Sequence, residues 1–114
     1  EMCIRDSPYS DPTWRRNDPY VNAEKLRGLK LFMSSATGLP GRYDNPSNVQ
    51  EAFNTTVGFI LEGVARQQHI LMKDRLEQLG IPCRHIFMAN GIHNWGYWRD
   101  QLRMAYPYVK SAIS

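Results

Sequence analysis

Two short apolar runs, Leu29–Ser34 and Ile81–Ala89, stand on either side of a long segment with helical spacing, Asn48–Leu79, and this order constrains the fold more than any other feature. Leu29-Lys30-Leu31-Phe32-Met33-Ser34 lies between Gly28 and a polar loop and reads as a buried strand. Ile86, Phe87 and Met88 form the apolar centre of the second run. Between them Phe53, Val57, Ile60, Leu61, Val64, Leu71, Met72, Leu76 and Leu79 recur at helical intervals, which predicts one face packed on a sheet. Ser47 or Asn48 is the expected cap of that helix, and Gly80 and Pro82 close it. Asn54-Thr55-Thr56 and Gly58 weaken its first part. A strand, a helix and a second strand in this order predict parallel strands joined by a right-handed crossover.

The remaining segments extend the pattern. Glu1-Met2-Cys3-Ile4-Arg5-Asp6-Ser7 reads as the translation of a sequencing adapter joined to a true frame, so residues 8–114 are the expected piece of a single domain. Pro8–Pro19 reads as a surface connection without helix or strand. Asp18-Pro19 is expected to open a short helix over Val21–Arg27 that ends at Gly28. After the second strand Asn90-Gly91-Ile92-His93 forms a loop, and Asn94 caps a last helix. That helix is expected to carry Trp95, Trp98, Leu102, Val109 and Ile113 on one face, with Pro107 kinking or dividing it.

Composition excludes several classes. At 42% hydrophobic and 22% charged residues the chain is an ordinary globular sequence, with no run long enough to span a bilayer. The net charge of +3 is spread over scattered Arg and Lys, so no nucleic-acid stripe forms. With Cys3 set aside, Cys83 stands alone and reads as a small buried hydrophobe. His69, His85 and His93 are dispersed and match no zinc spacing; His69 and His85 read as structural. Met33, Met72, Met88 and Met104 read as core filler.

Sites in parallel α/β sheets form in loops beyond the carboxyl ends of the strands. One such loop here holds Asp44 and the other His93. That is the chain order of the last two members of a Ser–Asp/Glu–His triad, in which the imidazole takes the serine proton and a carboxylate fixes its tautomer. Ser34-Ser35-Ala36-Thr37-Gly38 does not fit a Gly-x-Ser-x-Gly elbow and follows the wrong strand. The nucleophile and the oxyanion donors are therefore expected upstream of this stretch. Without its neighbouring strands the sheet is expected to leave the helix faces around Phe53, Ile60 and Trp98 partly uncovered.

Ser10-Asp11-Pro12-Thr13-Trp14-Arg15-Arg16-Asn17-Asp18-Pro19 resembles the Ser-Asp-Pro-x-Trp-x-x-Asn-Asp-Pro segment of the mycolyltransferases of mycobacteria and corynebacteria, an esterase-like family that includes the fibronectin-binding secreted antigens. Gly91-Ile92-His93-Asn94-Trp95-Gly96-Tyr97-Trp98, followed by Leu102, is similar to that family's Gly-x-His-x-Trp-x-Tyr-Trp and the leucine after it. Gly38-Leu39-Pro40-Gly41-Arg42-Tyr43-Asp44 resembles the corynebacterial branch, and Gly80-Ile81-Pro82 recurs at the equivalent place.

The resemblance implies an α/β fold: the C-terminal part of an α/β-hydrolase, its last two parallel strands with the crossover and terminal helices. It implies that His93 is the general base and acid. Mycobacterial members carry a glutamate just after the Gly-x-Pro turn, where an ungapped match puts Arg42, so Asp44 is the expected acid, with Glu51 and Glu62 in reserve. Ala36-Thr37-Gly38 stands where the family shows Gly-Asn-Gly. Trp95 is the expected substrate-binding residue, with Trp95 and Trp98 also read as anchors of the helix and Tyr97 nearer the surface. Trp14 reads as buried, beside solvated Arg15 and Arg16.

The whole enzyme implied is a secreted or envelope-associated acyltransferase, touching the mycomembrane peripherally. It would pass a mycolyl group from trehalose mycolate through a serine ester to a trehalose lipid or to cell-wall arabinogalactan, without metal or organic cofactor. Two alternatives stay open: a carboxylesterase of the same fold, and a non-catalytic glycolipid- or matrix-binding module using the aromatics.

Overall fold

The computed structural model describes residues 11–44, 47 and 49–114. Glu1–Ser7, Ser10 of the first motif and the candidate cap Asn48 lie outside the described residues. Two parallel strands form the sheet: β1, Leu31–Ala36, and β2, Cys83–Met88, in register from Leu31 opposite Cys83 to Ala36 opposite Met88. The crossover helix α2, Val49–Gln78, covers one face and the last helix α3, Trp95–Ile113, covers the other. Because side chains alternate along a strand, Ser35, His85 and Phe87 meet α2, whereas Phe32 and Ser34 meet Tyr108 and Gln101 of α3.

The first segment differs from the expected connection. Pro12–Asn17 is a short helix, α1, capped by Asp11, whose Oδ1 accepts from the amides of Thr13 at 2.7 Å and Trp14 at 3.3 Å. Asp11-Pro12 is an N-cap followed by a first-turn proline, the same signature that the sequence shows at Asp18-Pro19. Asp18 instead accepts from the Tyr20 amide at 2.8 Å and caps only a turn. The expected helix over Val21–Arg27 is a 3-10 helix, Ala23–Leu26, with no side-chain cap. Trp14 is half-buried rather than buried, with Arg15 and Arg16 exposed as expected. β1 begins at Leu31 rather than Leu29, because the Leu29 amide closes a turn on the Leu26 carbonyl at 3.1 Å.

α2 is one helix, continuous through Asn54-Thr55-Thr56 and Gly58. Its buried residues are Gly58, Glu62, His69 and Leu76, so the face on the sheet is polar except at its end. The apolar face expected on the sheet turns outward instead: Phe53 is 63% exposed and Ile60 57%, while Trp98 is half-buried. The apolar core lies at the amino ends of the strands, where Ala23, Leu76 and Ile81 pack with Leu26, Leu31, Met33, Met72, Leu79 and Cys83.

Asn94 caps α3 as predicted, its Oδ1 accepting from the Gly96 amide at 3.1 Å. The buried face of that helix is Tyr97, Gln101 and Ala105, one turn apart each, while Trp95, Leu102, Val109 and Ile113 are exposed. Tyr97 can be inside because its hydroxyl is satisfied there: it donates to Asp44 and accepts from the Tyr43 amide. Pro107 sits within α3 without dividing it. Among the described residues no helix is long and apolar enough to cross a membrane.

Candidate functional site

The loops that follow β1 and β2 are joined to each other. The Gly38 amide donates to the Gly91 carbonyl at 2.9 Å, the Gly91 amide to the Leu39 carbonyl at 2.7 Å, and Thr37 Oγ1 to the Ala89 carbonyl at 2.7 Å. The second loop then crosses α2, where the His93 amide donates to the Gly58 carbonyl at 3.2 Å. A β-carbon at Gly58 would stand 3.0 Å from Ile92 Cδ1, so the glycine sets how close the loop approaches.

One helical turn beyond Gly58, Glu62 points under the histidine. Its Oε1 accepts from the Ala36 amide at the end of β1 at 2.8 Å, and its Oε2 lies 3.2 Å from His93 Nδ1. Glu62 is 3% exposed, a burial that is tolerable because both oxygens are hydrogen-bonded. The His93 side chain is 41% exposed, and its Nε2 has no hydrogen-bond partner among the described residues. Its ring meets Trp98 edge-on at 4.5 Å, and Trp98 meets Trp95 at 5.0 Å. An imidazole tied at Nδ1 to a buried carboxylate presents Nε2 as the base.

Asp44, the expected acid, is elsewhere. It accepts from the Gly41 amide at 2.8 Å and from the Tyr97 hydroxyl. Burial, reinforced by that bond, raises the Tyr97 phenol above its usual range. Beside it Asp100 accepts from Tyr43 Oη at 2.9 Å and pairs with Arg42, whose hydrogen bond draws the Asp100 carboxyl down. These contacts fasten the first loop to α3, and Asp44 belongs to that fastening. Glu51 accepts from Ser47 N at 2.8 Å and Ser47 Oγ at 2.7 Å at the exposed start of α2. Of the three carboxylates weighed, Glu62 is the one joined to His93.

Trp95 is 80% exposed, which leaves it free to line a ligand site and removes it as an anchor. With Gly96, Trp98, Arg99 and Leu102 it borders a largely apolar groove of about 560 Å³. Tyr97, expected near the surface, is the anchor at 6% exposure. His69 and His85, dispersed in sequence, come together: His69 Nε2 lies 2.9 Å from His85 Nδ1, and His69 Nδ1 lies 2.7 Å from Ser35 Oγ. Ser35 is 3% exposed, so this serine–histidine pair is closed to substrate.

The sequence did carry a signal for Glu62. Gly58, Glu62, His69 and Leu76 recur at spacings that put them on one helical face, so Glu62 is placed with the residues of α2 that turn inward.

Parallel strands joined by a helix, with a loop histidine beyond their carboxyl ends resting on a buried carboxylate, define the class: the closing part of an α/β-hydrolase fold. No protein-family model matches the chain. Among individual proteins it is 31% identical over 109 residues to the diacylglycerol acyltransferase/mycolyltransferase Ag85B of Mycobacterium intracellulare, covering 93% of this chain and 31% of that protein. It is 30% identical to the Ag85A mycolyltransferase of Mycobacterium leprae, with the same shares covered, and 29% identical to that of Mycobacterium tuberculosis. The chain is thus a relative of the mycolyltransferases, as its motifs implied, and spans about a third of the length of those it matches.

Proposed function

We propose that the chain is the part of a serine acyltransferase that supplies the acid–base pair, with His93 as base and Glu62 as its carboxylate partner. The serine and the oxyanion-hole donors come from a part of the protein outside these residues, and residues 8–114 form one piece of a single domain. The observation that carries the reading is the 3.2 Å contact between His93 Nδ1 and the buried Glu62 Oε2.

His93 Nε2 takes the hydroxyl proton as the serine oxygen bonds to the acyl carbonyl carbon. The donor ester's C–O bond then breaks, and the same proton passes to the departing alcohol. In the second half-reaction an acceptor hydroxyl gives its proton to His93, attacks the serine ester, and the released serine takes the proton back. Glu62 stays a carboxylate throughout and stabilises the imidazolium.

The names of the relatives support a mycolyl group as the acyl unit. Trehalose mycolate is then the donor, a trehalose lipid or cell-wall arabinogalactan the acceptor, and the cell envelope or exterior the place of action. The groove of Trp95, Trp98 and Leu102, joined to His93 through Trp98, is suited to a lipid chain or a sugar face.

The intact protein incubated with trehalose monomycolate is expected to form dimycolate; release of free mycolate alone would make it a hydrolase. Glu62→Gln and His93→Ala are each expected to lower turnover about 10²–10⁴-fold, and Asp44→Asn far less. Normal turnover in Glu62→Gln with loss in Asp44→Asn would return the acid role to Asp44.

A further inference from the structure

His69, Ser35 and His85 have no part in that reading, although they form a continuous chain beside it, buried at Ser35 and His69 and half-buried at His85. We propose that His69 is a positioning residue for Glu62: through Ser35 and His85 it holds the end of β1 where the Ala36 amide aims the Glu62 carboxylate at His93. The proposal rests on the reading of Glu62 and His93 as the acid–base pair.

α2 grips β1 at two adjacent residues. Glu62 takes the amide of Ala36 at 2.8 Å, and His69 takes the hydroxyl of Ser35 at 2.7 Å. Positions 62 and 69 are separated by about 10 Å along the helix axis. Two side-chain contacts two turns apart, with the Gly58 carbonyl accepting from the His93 amide, resist rolling and sliding of the helix over the sheet better than Glu62 alone. A helix that rolled by a fraction of a turn would carry the Glu62 carboxylate out of reach of His93, since their contact is already at the long end of hydrogen-bond range.

The His69 ring is itself held from several sides. Its Nδ1 meets Ser35 Oγ and its Nε2 meets His85 Nδ1 at 2.9 Å, so it ties α2 to both strands at once. Its face stacks on Phe87 at 4.2 Å and 18°, and the Arg66 guanidinium lies 5.0 Å from that same Phe87 ring. The ring is 4% exposed. In either tautomer of a neutral imidazole one of these two contacts is donated by the ring and the other accepted, so both ring nitrogens are used. Burial first, then the neighbouring His85, Arg66 and Lys73, keeps it neutral by lowering its pKa to about 4.

The test reads the His93 ring rather than turnover, by ¹⁵N chemical shifts of the imidazoles in the intact protein. The parent is expected to hold His93 in the Nδ1–H form, and Glu62→Leu to move it toward the Nε2–H form. His69→Phe, which keeps the stack on Phe87, is expected to move His93 the same way, and to add nothing when combined with Glu62→Leu. A folded His69→Phe chain with the parent His93 tautomer overturns the proposal, and so does an equal effect on top of Glu62→Leu. If His69→Phe does not fold, Ser35→Ala decides: a shift toward Nε2–H supports the positioning role, and an unchanged His93 overturns it. Normal turnover in Glu62→Gln would instead sink the acid–base reading and leave these tautomer results standing.

Discussion

Gly38 shows how narrowly one residue can set the site. It has a φ of +86°, and a β-carbon there would lie 2.6 Å from the Phe59 carbonyl oxygen of α2. The clash is with backbone, which cannot swing aside, and the left-handed conformation already disfavours a side chain. Gly38→Ala is therefore expected to cost about 2 kcal/mol or more, read as a lowered urea midpoint. Because the Gly38 amide also holds Gly91, the same change is expected to loosen the loop that carries His93.

At the scale of elements, the polar face of α2 makes stability depend on pH. The folded chain keeps His69 neutral down to about pH 4, whereas an unfolded chain takes up that proton near its ordinary 6.5. Between these values the unfolded state binds more protons, so the contribution is complete above pH 6.5 and falls away as the pH drops to about 4. The loss is on the order of 3 kcal/mol at most, and His85, whose pKa is also lowered by burial, adds in the same direction. Urea midpoints from pH 7.5 to 4 are expected to decline, with a flatter slope in His69→Phe.

The same helix shows what the sequence made legible. Both strands, the crossover, the Asn94 cap and the position of His93 followed from apolar runs, turn residues and the Gly-x-His-x-Trp-x-Tyr-Trp motif. The contact of His93 with Glu62 did not, because the expectation of a loop carboxylate pointed to Asp44. The apolar stripe of Phe53, Ile60 and Val64 also suggested the wrong face of α2, since the face on the sheet is chosen by the hydrogen bonds of Glu62 and His69. Trp95 and Tyr97 were exchanged for a related reason: the buried ring is the one whose hydroxyl found a partner.

Across the whole chain the apolar core is small and sits at one end of the sheet, and the candidate site sits at the other, where α2, α3 and the two loops converge. Of the described serines, Ser35 meets a histidine but is closed to solvent, and Ser34 donates to Gln101. A fluorophosphonate probe, which labels activated serines, is accordingly expected to leave this chain unmodified. Labelling would place the nucleophile within it.

The edge-on contact of His93 with Trp98 has an optical consequence. A positively charged imidazole accepts electron density from an excited indole, so a proton gained at His93 dims the emission of the tryptophan against it. The charge of the candidate base is thereby written into the intrinsic fluorescence of the chain, and its protonation can be followed without an attached dye.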